Sequence, residues 1–233
     1  MTGETGGGTG DSTEAGPAAG LRDRLESEYA AELELLGSTR FLTAASGGEP
    51  TATALLDAAA ESEHAARETF SEWAAEAADT ADADARAAFE AVVDQESEHR
   101  SRVAAELDGW TPDSGPPGPM HAYLRGRSTT IERVAGGMVG RPLASLRTHA
   151  RLVDFFERRE TAESDRRAAL FSDLRAETEG TLEDGVELLA ARCRTEADWE
   201  TAVLVAGYTI RLARDDTADA LRSLGIDPEP DPK

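Results

Sequence analysis

The apolar positions between residues 55 and 107 fall into two long helical stripes, and each stripe is interrupted by residues that carry chemistry. In the second, Ala85, Phe89, Val92, Glu96, His99, Val103 and Leu107 recur at steps of three and four, the seam of an amphipathic helix, so Glu96 and His99 point inward. In the first, Leu56, Ala60, Glu63, Ala66 or Arg67, Phe70, Ala74 and Ala77 keep the same phase, which puts Glu63 on the core face. The polar joint Asp79-Thr80-Ala81-Asp82 predicts an antiparallel hairpin with its midpoint near residue 80. Glu63 and Glu96 then lie level, about 25 Å from the turn at roughly 1.5 Å per residue. A buried carboxylate has to be paired or to bind a metal.

The remaining pattern is helical too. Residues 1–19 hold Gly, Thr and acid with nothing to bury, and are expected to be disordered. A helix from about Leu21 shows the stripe Leu21, Leu25, Glu28, Glu32 and Leu35, and breaks at Gly37-Ser38. Pairing it with the next helix about a midpoint near 47.5 brings Glu32 level with Glu63, with Glu28 one turn away. Residues 108–119 are too rich in Pro and Gly for a helix and read as a crossover. Helices over about 120–136 and 142–159 flank a glycine-rich corner, Gly136 to Pro142, where Arg141-Pro142 reads as a helix start. Helices over about 163–193 and 196–224 make a second hairpin around Thr195-Glu196, with Glu177 near Asp215 and Asp216. The tail 227–233 is expected to be extended and solvated. No useful stretch alternates with period two, so no sheet is predicted. The pattern predicts one all-α domain over 20–226, a bundle of two antiparallel hairpins, 50–107 and 163–224, with extra helices in the crossover.

Composition changes this picture in one respect. The chain of 233 residues is 39% hydrophobic, enough for a sizeable core, but carries 46 acidic against 24 basic residues for a net charge of −22, with Lys233 its only lysine. Such a surface repels nucleic acid and anionic membrane and strains the compact state in ordinary salt. A salt-rich cytoplasm resolves the strain, so a halophilic, haloarchaeal source is expected. Cys193 is alone, which leaves no disulfide framework and makes a reducing compartment the default. There is no 18-residue apolar run, and the N-terminus has neither a basic start nor an apolar core segment, so a soluble cytoplasmic protein is expected.

Glu63, Glu96 and His99 suit iron, manganese or zinc, because their donor types match and the i, i+3 pair shares one helix face. The same residues also suit a buried Glu–Arg or Glu–His network, with Arg67, Arg100 or Arg102 as partner. Glu28 and Glu32 are candidate further ligands, or acids that fall on a stripe by chance in an acidic chain. Glu61 and His64 read as solvated, or as ligands in an alternative register. Glu177, Asp215 and Asp216 are weaker candidates. His149 reads as a hydrogen-bonded core histidine, His121 as a cap or stacking residue, Trp73, Trp110 and Trp199 as packing anchors, and Cys193 as structural.

These residues resemble the rubrerythrin branch of the ferritin-like superfamily. Glu63 is followed 33 residues later by Glu96-x-x-His99, with Phe70 one heptad beyond the first Glu. Glu28 followed by Glu61-x-x-His64 repeats that interval, though Glu61 sits roughly 200° around the helix from Glu63. Over most of residues 20–230 the chain is similar to haloarchaeal proteins of the rubrerythrin family. The resemblance implies a ferritin-like four-helix bundle holding at most two non-haem irons, with peroxide reduction or ferrous oxidation in oxidative-stress defence as the activity. It also implies an external electron donor, with a homodimer among the expected partners. No Cys-x-x-Cys is present, so the rubredoxin-type electron-transfer domain has no counterpart, and Asp216-x-x-Asp219 stands where a second Glu-x-x-His would complete the ligand set. The competing expectation is a metal-free helical scaffold or regulatory interaction protein that has lost part of such a site.

Overall fold

The computed structural model describes residues 17–78 and 82–228. Its helices are α1 (Pro17–Glu28), α2 (Ala30–Leu36), α3 (Thr39–Ala45), α4 (Ala52–Ala78), α5 (Ala83–Ala104), α6 (Pro119–Arg125), α7 (Thr130–Arg133), a π-helical stretch (Val134–Gly140), α8 (Arg141–Glu157), α9 (Ala162–Arg192) and α10 (Glu196–Ser223). Among the described residues no strand forms, and no helix is long and apolar enough to cross a membrane. The expected all-α class holds. Most of the N-terminal tail and the joint 79–81 lie outside the described residues.

α4 and α5 form the expected hairpin. Asp82 caps α5 by accepting the Ala85 N–H at 3.2 Å, and the helix then buries Ala85, Phe89, Val92, Glu96, His99 and Val103, the stripe read from the sequence. Two apolar clusters flank the inward polar residues. On one side Phe70, Trp73 and Phe89 meet ring to ring at 5.0–6.0 Å. On the other, Leu56, Ala60 and Val103 pack with Phe156 and Phe171, whose rings stack at 5.8 Å. Glu63, Glu96 and His99 therefore form a thin polar layer between two dry ones.

Four expectations are corrected. First, α1 gives way to α2 at Tyr29, and the N-terminal stripe does not run through Glu28 and Glu32. The buried seam is Leu21, Leu25, Tyr29, Leu33 and Leu36, mostly four-residue steps that put both acids outside. Second, the glycine cluster is not a corner. Residues 130–157 are continuously helical, and the Arg141 N–H donates to the Gly136 carbonyl, five residues back. Pro142 comes next and has no N–H to close an α-type bond to residue 138, so the wider turn lies where the ladder is already interrupted. The glycines also permit contact: a Cβ at Gly137 would meet the Trp73 ring at 2.6 Å, and one at Gly140 the Ala206 carbonyl at 2.4 Å. Third, α9 pairs with α8 and not with α10. α10 packs instead on α2, α3, α6 and the π-helical stretch, and buries a broad face from Ala202 to Ile210. The second hairpin of the fold is thus α8–α9. Fourth, at the C-terminus Pro228 is buried, so the tail is not wholly solvated.

Candidate metal centre

Three side chains converge inside the bundle. Glu63, Glu96 and His99 are each no more than 3% exposed, and one donor atom from each lies within 4.8 Å of the others. Around an ion bonded at about 2.1 Å, tetrahedral donors stand about 3.4 Å apart, so modest closure would complete a coordination sphere.

The hydrogen bonds around the three decide which atoms face inward. His99 Nε2 lies 2.6 Å from Glu177 Oε2, and Glu177 also accepts from Arg102 at 2.9 Å. Partial burial raises the Glu177 carboxyl, but Arg102 and His99 outweigh it and hold the group ionised, below its usual range. An ionised carboxylate only accepts, so the proton sits on Nε2 and, in the neutral ring, the Nδ1 lone pair is bare. That Nδ1 has no hydrogen-bond partner and faces Glu63 Oε2 at 3.8 Å. Arg141 Nη2 donates to Glu96 Oε1 at 2.5 Å, which leaves Glu96 Oε2 buried with no partner. His149 Nε2 approaches Glu63 Oε1 at 3.4 Å, and its Nδ1 is likewise orphaned. Buried polar atoms without partners are costly, and an ion among them would satisfy several at once.

Electrostatics agree. Burial pushes the Glu96 carboxyl well above its usual range, with the facing Glu63 adding to the push and Arg141 opposing it. Burial acts upward on Glu63 as well, but Glu96, His149 and His99 outweigh it and hold that group well below the ordinary carboxylate range. Two close carboxyl groups beside one guanidinium titrate as a pair. The donor set, two carboxylates and one or two imidazoles, fits iron, manganese or zinc.

The other sequence candidates are elsewhere. Glu28 is exposed and accepts from Arg24 at 2.8 Å. Glu32 faces Arg211 at 3.7 Å. Glu61 accepts the Asp113 N–H at 2.8 Å beneath the crossover, and His64 sits edge-on to Trp110 at 6.2 Å. The alternative register therefore assembles no site. Glu177 reaches the centre only through His99, as the group that orients it. The expected neighbours of Glu177, Asp215 and Asp216, are on α10, which does not pair with α9; Asp216 instead lines a cavity beside Glu63 and His149.

Sequence reasoning missed Arg141 and undervalued His149. A signal existed for Arg141: it is the only charged residue from Val134 to Leu146 in a chain that is 30% charged. His121, read as a cap, is fully buried with Nδ1 3.0 Å from Thr69 Oγ1, and burial, with Arg141 and Arg125 nearby, pushes it down to about 3. Asp216 is pushed up to about 6, mainly by burial and further by Asp219 and Asp215. A raised carboxyl costs stability once ionised, so the penalty is absent below the unfolded value near 4 and complete above about 6. Asp216→Asn should therefore stabilise the chain by about 1 kcal/mol at pH 7, discounted for partial exposure, and by nothing at pH 3.5. Urea unfolding at the two pH values measures this.

Comparison of the chain with family models, curated proteins and solved structures finds no significant match. The chemistry of the centre is read from its geometry.

Proposed function

We propose that the chain is a ferritin-like carboxylate protein of rubrerythrin type that holds one redox-active transition-metal ion, iron being the one its rubrerythrin resemblance implies. One observation carries the reading: His99 is oriented by Glu177 through Nε2, so that a partnerless Nδ1 faces the buried Glu63 carboxylate, in a cluster that includes Glu96. Metal-bound histidines are commonly held in this way, by a carboxylate on the far nitrogen. The pairing of α4 with α5 and α8 with α9 across the connection 105–129 supports a ferritin-like arrangement. Arg141 argues for one ion in place of two, because its guanidinium already neutralises Glu96 where a second cation would act. Bound iron would supply one-electron ferrous–ferric steps for reducing peroxide or oxygen with electrons from an external donor. Glu63, Glu96, His99 and His149 position the site, and the flanking apolar clusters exclude water.

The Arg141–Glu96 pair also favours a second reading, a metal-free helical scaffold in which the polar layer only fixes helix register. Elemental analysis separates the two. After purification in molar potassium chloride, chosen for the acidic surface, the wild type should carry near-stoichiometric iron and Glu96→Ala/His99→Ala none. Glu177→Gln should weaken binding by about 10- to 100-fold. A wild type without iron, manganese or zinc would leave only the scaffold.

A further inference from the structure

A cavity of about 240 Å³ adjoins the centre between α3, α4, α8 and α10. Its wall is mostly apolar, formed by residues such as Leu36, Phe41 and Leu152, while Glu63, Arg141, His149 and, from α10, Asp216 also line it. His149 is 5% exposed and its Nδ1 has no hydrogen-bond partner. An apolar chamber that ends on a few convergent polar groups is the form of a small-molecule site.

We propose that this cavity binds a small neutral organic molecule, one ring or a short chain with a single hydroxyl-type head, and delivers that head to the face of the centre formed by Glu63 and His149. This rests on the metal-site reading for its chemistry, but the binding itself does not. Size sets the body of the ligand. A cavity of about 150 Å³ holds benzene, whereas one water occupies about 30 Å³ of liquid, so the chamber is far larger than hydrogen peroxide requires and suits a substituted ring. Charge sets the head. The guanidinium of Arg141 is already committed to Glu96, and the carboxylate of Glu63 lies beside His149. An anionic head would face the carboxylates of Glu63 and Asp216 and a cationic one the guanidinium of Arg141, while a neutral hydroxyl can donate to Glu63 or pair with the orphaned imidazole nitrogen. The implied substrate class is a hydroxyl- or hydroperoxyl-bearing organic compound.

The test uses 4-ethylphenol as probe and ethylbenzene as its headless analogue, titrated by calorimetry into the full chain after metal removal. Wild type should bind the phenol saturably at one site, with ethylbenzene about tenfold weaker or more. Ala213→Phe, which fills the chamber from α10, should weaken the phenol by about tenfold or more while leaving the melting temperature and metal content near wild type. If that variant does not fold, Ala58→Phe fills the chamber from α4 and is read the same way. No saturable phenol binding by wild type, or binding untouched by a folded filling variant, overturns the proposal. A wild type that carries no metal yet binds the phenol overturns the metal reading alone.

Discussion

Replacing Arg141 by methionine is expected to destabilise the chain by about 3–5 kcal/mol at pH 7, the range seen when one partner of a buried ion pair is removed. Methionine keeps much of the stem volume, so the loss reports charge and not a cavity. Arg141 is 3% exposed and Glu96 1%, and no solvent can replace the guanidinium. The variant is left with a carboxyl facing Glu63 in a dry layer. Glu96 is already displaced upward, so without Arg141 it is driven to hold its proton. The extra cost therefore appears only as pH rises above the folded Glu96 value of the wild type, itself well above the ordinary carboxylate range, and is absent near pH 4.5, where the carboxyl is neutral in both proteins. Urea unfolding of wild type and Arg141→Met at pH 7 and pH 4.5 reads this directly. The double variant Arg141→Met/Glu96→Gln should recover most of the loss, and the cycle gives the coupling. A loss below about 1 kcal/mol at pH 7 would mean that the pair contributes no net stability and that Glu96 is neutral in the native protein.

Gly140→Ala is the second large effect. Alanine favours a helix by about 1 kcal/mol over glycine, yet here the new Cβ would lie 2.4 Å from the Ala206 carbonyl and 2.9 Å from its Cα. Backbone cannot swing aside like a side-chain end, so α10 must move. Overpacking of this kind costs about 1–3 kcal/mol or more and outweighs the propensity gain, and a net loss of about 2 kcal/mol is expected. Gly180→Ala is the control. Its Cβ meets nothing within 4 Å in the middle of α9, so it should stabilise by up to about 1 kcal/mol. Thermal melts of the two variants side by side should move in opposite directions. A Gly140→Ala variant as stable as Gly180→Ala would mean that α10 is not held against the π-helical stretch.

How much of this was legible in the chain depends on how local each signal is. The α4–α5 hairpin and its inward Glu63, Glu96 and His99 could be read because an unbroken three-and-four stripe fixes a long helix's face. Glu28 and Glu32 misled because two stripes compete there: Leu21 and Leu25 fit both, and Tyr29 and Leu33, not the acids, continue the buried one, with helical bonds carried across Tyr29. The partner of α9 could not be read at all. α8 and α10 both adjoin it in sequence, both carry apolar faces, and the choice is made by long-range contacts such as Phe156 on Phe171. Arg141 was hidden by its neighbours, since Gly-rich sequence ahead of a proline is the ordinary mark of a chain reversal. Only side chains such as Trp73, which need the space a glycine leaves, turn that stretch into a helix.

That stretch has a consequence for how the chain can change over time. A π turn holds one residue more than an α turn, and each residue added to or removed from a helix rotates the rest of that helix by about 100°. Val134–Gly140 therefore sets the angle at which all of α8 is presented. Losing a single residue there would swing Arg141 and His149 away from Glu96 and Glu63 together, with neither altered. Substitutions can accumulate along the exposed face of α8, but the length of the segment between Val134 and Arg141 is fixed by the centre it aims.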